Sequence, residues 1–233
     1  LNAGTVALQY YFGRRHGFDN WERAIGPLGW LSEYDRLFGN PWSYMHPLYE
    51  PGIEQPDLIL PFLPGRIWAY TGGPHGAWER DAAWAALDFA PSTRNEGCVV
   101  SEDWAVAAAA GLVVRSGHGL VMLDLDGDGR EQTGWNLLYL HLADDGRVQE
   151  GVFVEQGDRL GHPSCEGGIA TGTHVHLARK YNGEWILADG PLPFTLSGWE
   201  ARAGSRAYQG LLVKDEREVI ANEFAIQETL IWR

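Results

Sequence analysis

Through the middle of this chain, apolar and polar residues alternate in the two-residue rhythm of half-buried strands. In Leu138-Tyr139-Leu140-His141-Leu142 the three leucines fall on one face, and Tyr139 and His141 fall on the other. Thr173-His174-Val175-His176-Leu177 alternates in the same way, so two imidazoles share a face while Thr173, Val175 and Leu177 can pack behind them. Leu120 to Leu125 and Trp135 to Leu142 read as strands on either side of an acidic turn. Residues 66–190 are therefore predicted to be mainly strands and turns.

The two ends read differently. Residues 1–45 contain Trp21-Glu22-Arg23-Ala24-Ile25, then Leu28, Leu31, Tyr34, Leu37 and Phe38 at three- and four-residue spacing, which predicts a small N-terminal helical cap. Over 46–65, Pro47, Pro51, Pro56, Pro61 and Pro64 predict an extended connector, since proline neither continues a helix nor donates to a sheet ladder. In 191–233, Gly210-Leu211-Leu212-Val213, a polar turn at Lys214 to Glu218 and a final Glu228 to Trp232 run predict a β extension packed on the core.

Two histidines on one strand face are how a sheet presents a metal ion. Three other segments supply complementary groups. Tyr70-Thr71-Gly72-Gly73-Pro74-His75-Gly76 sets a histidine among turn residues, where a bend can project it. Leu87-Asp88-Phe89-Ala90-Pro91 holds a carboxylate between apolar neighbours, a poor place for a merely solvated charge. His141 is the third. Two neutral imidazoles and one carboxylate would leave a zinc ion with an open fourth position, the layout of a catalytic rather than a structural site. Water held there becomes acidic near neutral pH, and positioned imidazoles suit the proton transfer and the oxyanion. No His-Glu-x-x-His motif occurs, so the commonest helical zinc-peptidase layout is excluded.

Taken in order, these pieces resemble the lysostaphin-like (LytM-type) zinc metallopeptidases, endopeptidases of bacterial cell-wall peptidoglycan. The matching pieces are His75, Asp88-Phe89-Ala90-Pro91, Ala110-Gly111-Leu112-Val113-Val114, Tyr139-Leu140-His141-Leu142, Gly157-Asp158-Arg159-Leu160-Gly161 and Gly172-Thr173-His174-Val175-His176. The resemblance spans residues 66–190. It implies a mainly β fold: an antiparallel metallopeptidase core with the helical cap and β extension as additions. It also implies one zinc ion held by His75, Asp88 and His176, with His141 and His174 as the catalytic pair. The spacing departs from the family pattern in one place, because twelve residues separate His75 from Asp88 where the family usually has three. Asp81 lies inside that insertion without the Phe-Ala-Pro context and ranks below Asp88. The resemblance also favours a strand for Ala105 to Ala110, although five alanines in six residues favour a helix by propensity. Cys98 and Cys165, the chain's two cysteines, each precede a segment the family places near the site, which points to a disulfide over two buried thiols.

Composition narrows the partners. A net charge of -13 and a pI of about 5.0 argue against nucleic acid and anionic membranes. The longest apolar run, Trp104 to Val114, is too short to cross a bilayer, so no transmembrane segment is expected. The chain starts at Leu1 with no leader pattern, and a secreted or cell-surface location is an expectation from the resemblance. The implied function is hydrolysis of peptide bonds in peptidoglycan stems or cross-bridges. The alternative is a non-catalytic relative that binds cell wall or regulates another hydrolase, although such relatives typically lack zinc ligands.

One motif stands outside this scheme. Asp124-Leu125-Asp126-Gly127-Asp128-Gly129 resembles the start of a calcium loop, but Trp135 stands where the bidentate glutamate belongs. Both flanks read as strands, so an acidic hairpin tip is favoured over calcium held by Asp124, Asp126 and Asp128. With the eleven tryptophans, this loop is the only support for a third reading, a calcium-stabilised carbohydrate-binding module.

Overall fold

The computed structural model describes residues 36–37, 52–78, 82–92 and 97–233, and the chain divides into two units, Leu1–Glu54 and Gln55–Arg233. The predicted helical cap lies outside the described residues except for 36–37, which are helical. The second unit is built of strands. In chain order these are β1 (Ile67–Gly76), β2 (Trp84–Pro91), β3 (Ala105–Val106), β4 (Gly111–Gly117), β5 (Leu120–Asp124), β6 (Trp135–Leu140), β7 (Phe153–Val154), β8 (Arg159–Gly161), β9 (Val175–Tyr181), β10 (Glu184–Trp185), β11 (Thr195–Leu196), β12 (Trp199–Ala203), β13 (Gly210–Lys214), β14 (Arg217–Ile220) and β15 (Leu230–Trp232).

A nine-stranded sheet runs β15-β1-β2-β9-β6-β5-β4-β7, with β10 added beside β9, and β11 to β14 and β3-β8 form separate sheets. The pairings are antiparallel, as the sequence predicts. β2, β5 and β6 are central and buried on both faces, which is why they read as nearly unbroken apolar runs. Leu87, Phe89, Val121, Leu123, Leu137, Tyr139, Val175 and Leu177 turn one face into the main core. Each large side chain buried there contributes roughly 1.5–3 kcal/mol. Ala86, Met122, Leu138 and Ala178 form a smaller cluster on the opposite face. That second face carries the site.

One stretch departs from its reading in the sequence. Ala105 to Ala110 is neither a helix nor one strand: only Ala105–Val106 pairs, and the chain then passes irregularly into β4. Ala107 and Ala108 are fully buried there, and the Ala108 N–H donates to the Tyr139 hydroxyl at 2.7 Å. Small side chains let this backbone run through the core, so packing overrides helix propensity. The second half of the proline-rich stretch also enters the core. Leu58, Leu60 and Phe62 are buried at alternate positions, and the Ile59 N–H bonds the Ala108 carbonyl at 2.9 Å.

At the far end, β15 closes one edge of the main sheet through Ile67↔Trp232, Trp68↔Ile231 and Ala69↔Leu230. Arg179 fixes the approach to the four-stranded sheet. It is fully buried, donates to the carbonyls of Leu187 (3.0 Å), Pro193 (3.1 Å) and Leu192, and also donates to the Gln55 side chain.

Candidate metal centre

Register brings His75, Asp88 and His176 together. In the β1–β2 hairpin Gly72 stands opposite Asp88 and His75 opposite Ala86, with bulges between, and β9 sets His176 directly opposite Asp88. Paired residues point to the same face, so all three side chains leave the sheet on the side of Ala86 and Ala178. Of the twelve residues between His75 and Asp88, Gly76 ends β1 and Trp84 to Leu87 belong to β2, so the described part of this insertion extends the two paired strands. Gly72 has to be glycine, since a Cβ there would overlap the Asp88 carboxylate. Asp81 lies outside the described residues.

The donor atoms converge. His75 Nε2 lies 3.0 Å from His176 Nδ1 and 3.3 Å from Asp88 Oδ1, and His176 Nδ1 lies 3.2 Å from Asp88 Oδ1. Bonds of zinc to nitrogen or oxygen set the edge of a tetrahedron at about 3.3 Å, so these separations suit three ligands of one ion. The remaining ring nitrogens are committed elsewhere. His75 Nδ1–H donates to the Gly73 carbonyl at 2.8 Å, and His176 Nε2–H donates to the Ala77 carbonyl at 2.9 Å. Each tie fixes the tautomer that leaves a lone pair facing the other ligands, the arrangement expected around a metal. All three residues are buried. Two lone pairs and a carboxylate packed together repel one another unless a cation lies among them.

The chain is similar to a beta-lytic metalloendopeptidase of Achromobacter lyticus, with 27% identity over 159 residues that cover 65% of this chain and 39% of that protein. It also matches the structure of pseudoalterin, an M23 metalloprotease from the deep sea, with a TM-score of 0.59 at 22% identity, covering 76% of this chain and 98% of that one. The chain is similar to the lysostaphin-like (LytM-type) metallopeptidases and shares their fold. No family profile matches it. The chain spans about two-fifths of the length of its curated relative, 39%.

Within this lysostaphin-like frame, His141 and His174 stand beside the three converging groups. Their rings are 4.5 Å apart, and His174 Nε2 is 3.8 Å from Asp88 Oδ1. His174 Nδ1–H donates to the Gly172 carbonyl at 2.8 Å and His141 Nδ1–H to the Glu166 carbonyl at 3.0 Å, which leaves Nε2 of each ring free. His174 and His176 share a face as the alternation predicts. His141 does not follow its alternation. It lies one residue past β6 with φ 66°, a left-handed conformation that is rare for a residue with a side chain. A continued strand would have sent it with Tyr139 into the main core; the twist at its own backbone turns it toward His174.

Charge and burial compete at these groups. Burial works to raise the Asp88 pKa, but His75 and His174, and a proton standing on the His176 and His75 nitrogens in the place a metal cation would take, outweigh it and hold the carboxyl well below its usual range. Burial works to lower the His75 pKa, and the adjacent Asp88 carboxylate reverses that into a net rise. His176 is lowered, first by burial. His141 is pushed down to about 4 by burial and then by the neighbouring His174, so it is a neutral base near pH 7.

Other supporting residues carry little signal in the sequence. The Tyr208 ring stacks on His75 with centroids 4.1 Å apart, and the Gly73 N–H bonds the Tyr208 carbonyl at 2.8 Å. Tyr208 lies more than a hundred residues from His75 and has no motif around it. Cys98 and Cys165 form a disulfide with Cα atoms 5.5 Å apart, as the resemblance implies. Its neighbours reach both catalytic candidates. Glu166, whose carbonyl orients His141, follows Cys165, and the Val99 N–H bonds Thr173 Oγ1 beside His174 at 3.0 Å. A polar hollow of about 620 Å³, lined by Ser116, His118, Asp144, Arg147 and Gln149, also borders Glu166.

Proposed function

We propose that this chain is a zinc-dependent endopeptidase acting on bacterial cell-wall peptidoglycan, at peptide stems or cross-bridges, in a secreted or cell-surface setting. The observation that carries this reading is the mutual approach of His75 Nε2, His176 Nδ1 and Asp88 Oδ1 to 3.0–3.3 Å, with the other nitrogen of each ring tied to a backbone carbonyl. These residues would hold the ion. Bound zinc supplies a Lewis acid for the scissile carbonyl and lowers the pKa of a water from about 15.7 toward about 7.

The chain's own groups do the rest. His141 and His174 present Nε2 toward the same space, and together they take the proton of the attacking water and hydrogen-bond the oxyanion. The carbonyls of Glu166 and Gly172 lock both rings in the tautomer that makes Nε2 the acting atom. Among the described residues no helix is long and apolar enough to cross a membrane. An intact donor set favours catalysis over a cell-wall-binding or regulatory role.

Elemental analysis and a hydrolysis assay on the purified protein test the proposal. About one zinc per chain is expected, together with release of new amino groups from peptidoglycan that a zinc chelator abolishes and added zinc restores. Activity that survives complete removal of zinc would overturn the mechanism. A zinc-loaded protein that cleaves other peptides but not peptidoglycan would overturn the substrate alone.

A further inference from the structure

The turn between β5 and β6 gathers Asp124, Asp126 and Asp128, whose carboxylate oxygens lie within 4.8 Å of one another. The sequence favours a plain acidic hairpin tip. A buried side chain at its base points elsewhere. Asn136 is fully buried, and its Oδ1 has no hydrogen-bond partner. Asn136 pairs with Asp124 across the β5–β6 ladder, so the two side chains sit side by side on one face. Its Nδ2 donates to the Thr133 carbonyl inside the turn at 2.9 Å, and Thr133 Oγ1 donates in turn to Asp128 Oδ2 at 2.5 Å. The carboxamide is therefore anchored to the turn through its nitrogen, and its buried, unpartnered oxygen belongs to the side chain that stands beside Asp124 at the base of the acidic group. A buried acceptor beside acceptors is costly unless a cation completes the group.

The remaining features agree. Gly129, at the sixth position counted from Asp124, has φ 81°, the sharp turn a calcium loop requires. Asp126 folds back over Gly134, where a Cβ would overlap its carboxylate. Among the described residues no cationic side chain pairs with the three aspartates; Arg115 and Lys180 are both taken by Glu131.

We propose that residues 124–136 bind one calcium ion through Asp124, Asp126 and Asp128, with Asn136 Oδ1 as the inner ligand in place of the glutamate that Trp135 displaces. Oxygen-only donors select a hard cation, so zinc stays with the histidine site. With a neutral inner ligand and two exposed aspartates, the affinity falls in the range of extracellular modules, a Kd of about 10⁻⁴–10⁻³ M.

The test uses the full zinc-loaded chain, cleared of weakly held ions on a chelating resin and restored to its original zinc content. Terbium is titrated in with excitation through tryptophan, since Trp135 adjoins Asn136 in the sequence, and calcium chloride is then added. Saturable luminescence that calcium displaces, with a calcium-dependent rise in Tm, is expected. The exposed pair Asp126→Asn/Asp128→Asn should weaken calcium on the order of tenfold or more, because affinity follows ligand charge, while zinc content and calcium-free Tm stay unchanged. Absence of displaceable luminescence, or equal calcium affinity in that variant, overturns the site. Asn136→Ala binding calcium as tightly as the parent overturns the part given to its oxygen. None of these readouts uses peptidase activity, so they stand apart from the proposed function.

Discussion

His75, Asp88 and His176 reach one another from three neighbouring strands, whereas Asp124, Asp126 and Asp128 come together within five residues of a single turn. In the first group sheet register sets the spacing, and both imidazoles are tied at their second nitrogen to backbone carbonyls. In the second, two of the three aspartates are exposed, and the carboxylates are held by N–H groups of the turn itself, Gly129 to Asp124 at 2.8 Å and Arg130 to Asp128 at 2.9 Å. The difference is one of preorganisation. On the proposed reading, the strand-borne groups are already ordered when an ion arrives, so little conformational entropy remains to be lost. Turn-borne oxygens adapt to a larger ion with looser angles, at the expense of affinity.

The sharpest way to break this comparison is to alter the rigid group one residue at a time. His176→Ala should remove a ligand, so zinc content and activity should fall together to background. His174→Ala, two residues away, should leave zinc in place while turnover drops by about 10²- to 10⁴-fold, and His141→Ala should behave like His174→Ala. Metal analysis of each purified variant beside the hydrolysis assay separates the roles. If His174→Ala lost zinc and His176→Ala kept it, the assignment within the pair would be reversed.

The sheet itself was legible because strand-forming alternation survives burial. Val175 and Leu177 pack in the main core, and His174 and His176 share the opposite face that the alternation predicts, both reaching Asp88. His141 was legible as a candidate but not in its direction, because the cause is a left-handed backbone angle one residue past a strand end, and neither periodicity nor propensity reports a single dihedral. Ala105 to Ala110 misled for a related reason. Helix propensity is worth only tenths of a kcal/mol per residue, too little to oppose the packing of Ala107 and Ala108 against the core. Tyr208 left no trace, since its stacking on His75 arises from a long-range meeting of the last third of the chain with β1.

The disulfide tests whether rigidity around the site extends beyond the ligands. Cys98 and Cys165 are 67 residues apart in sequence. Closing a loop of that length stabilises a fold by about 4 kcal/mol in the chain-entropy picture. Reduction should lower the Tm by roughly 10 °C for a unit of this size, and the loosened Glu166 and Thr173 segments should slow turnover before zinc is lost. Calorimetry of reduced and oxidised protein, with zinc measured in both, provides the check. Two free thiols in unreduced, denatured protein would remove the bond, and an unchanged Tm would remove its role.

The smallest expected effect concerns Tyr208, whose side chain meets the centre by stacking on the His75 ring. A stacked aromatic contact is worth roughly 0.5–1.5 kcal/mol, so Tyr208→Ala should weaken zinc affinity by about 2- to 10-fold and leave the ligand set whole. Tyr208→Phe keeps the ring and the same positive backbone φ of 69°, and should bind zinc within about twofold of the parent. Competition against a chromophoric chelator measures both. The pair of variants decides between two accounts of the residue. Loss only in the alanine variant places the effect in the stack on His75, whereas equal loss in both assigns it to the hydroxyl. If neither variant shifts zinc affinity, the β1 bulges and the Gly73 carbonyl are sufficient to hold His75, and the preorganisation of the centre comes from the main sheet alone.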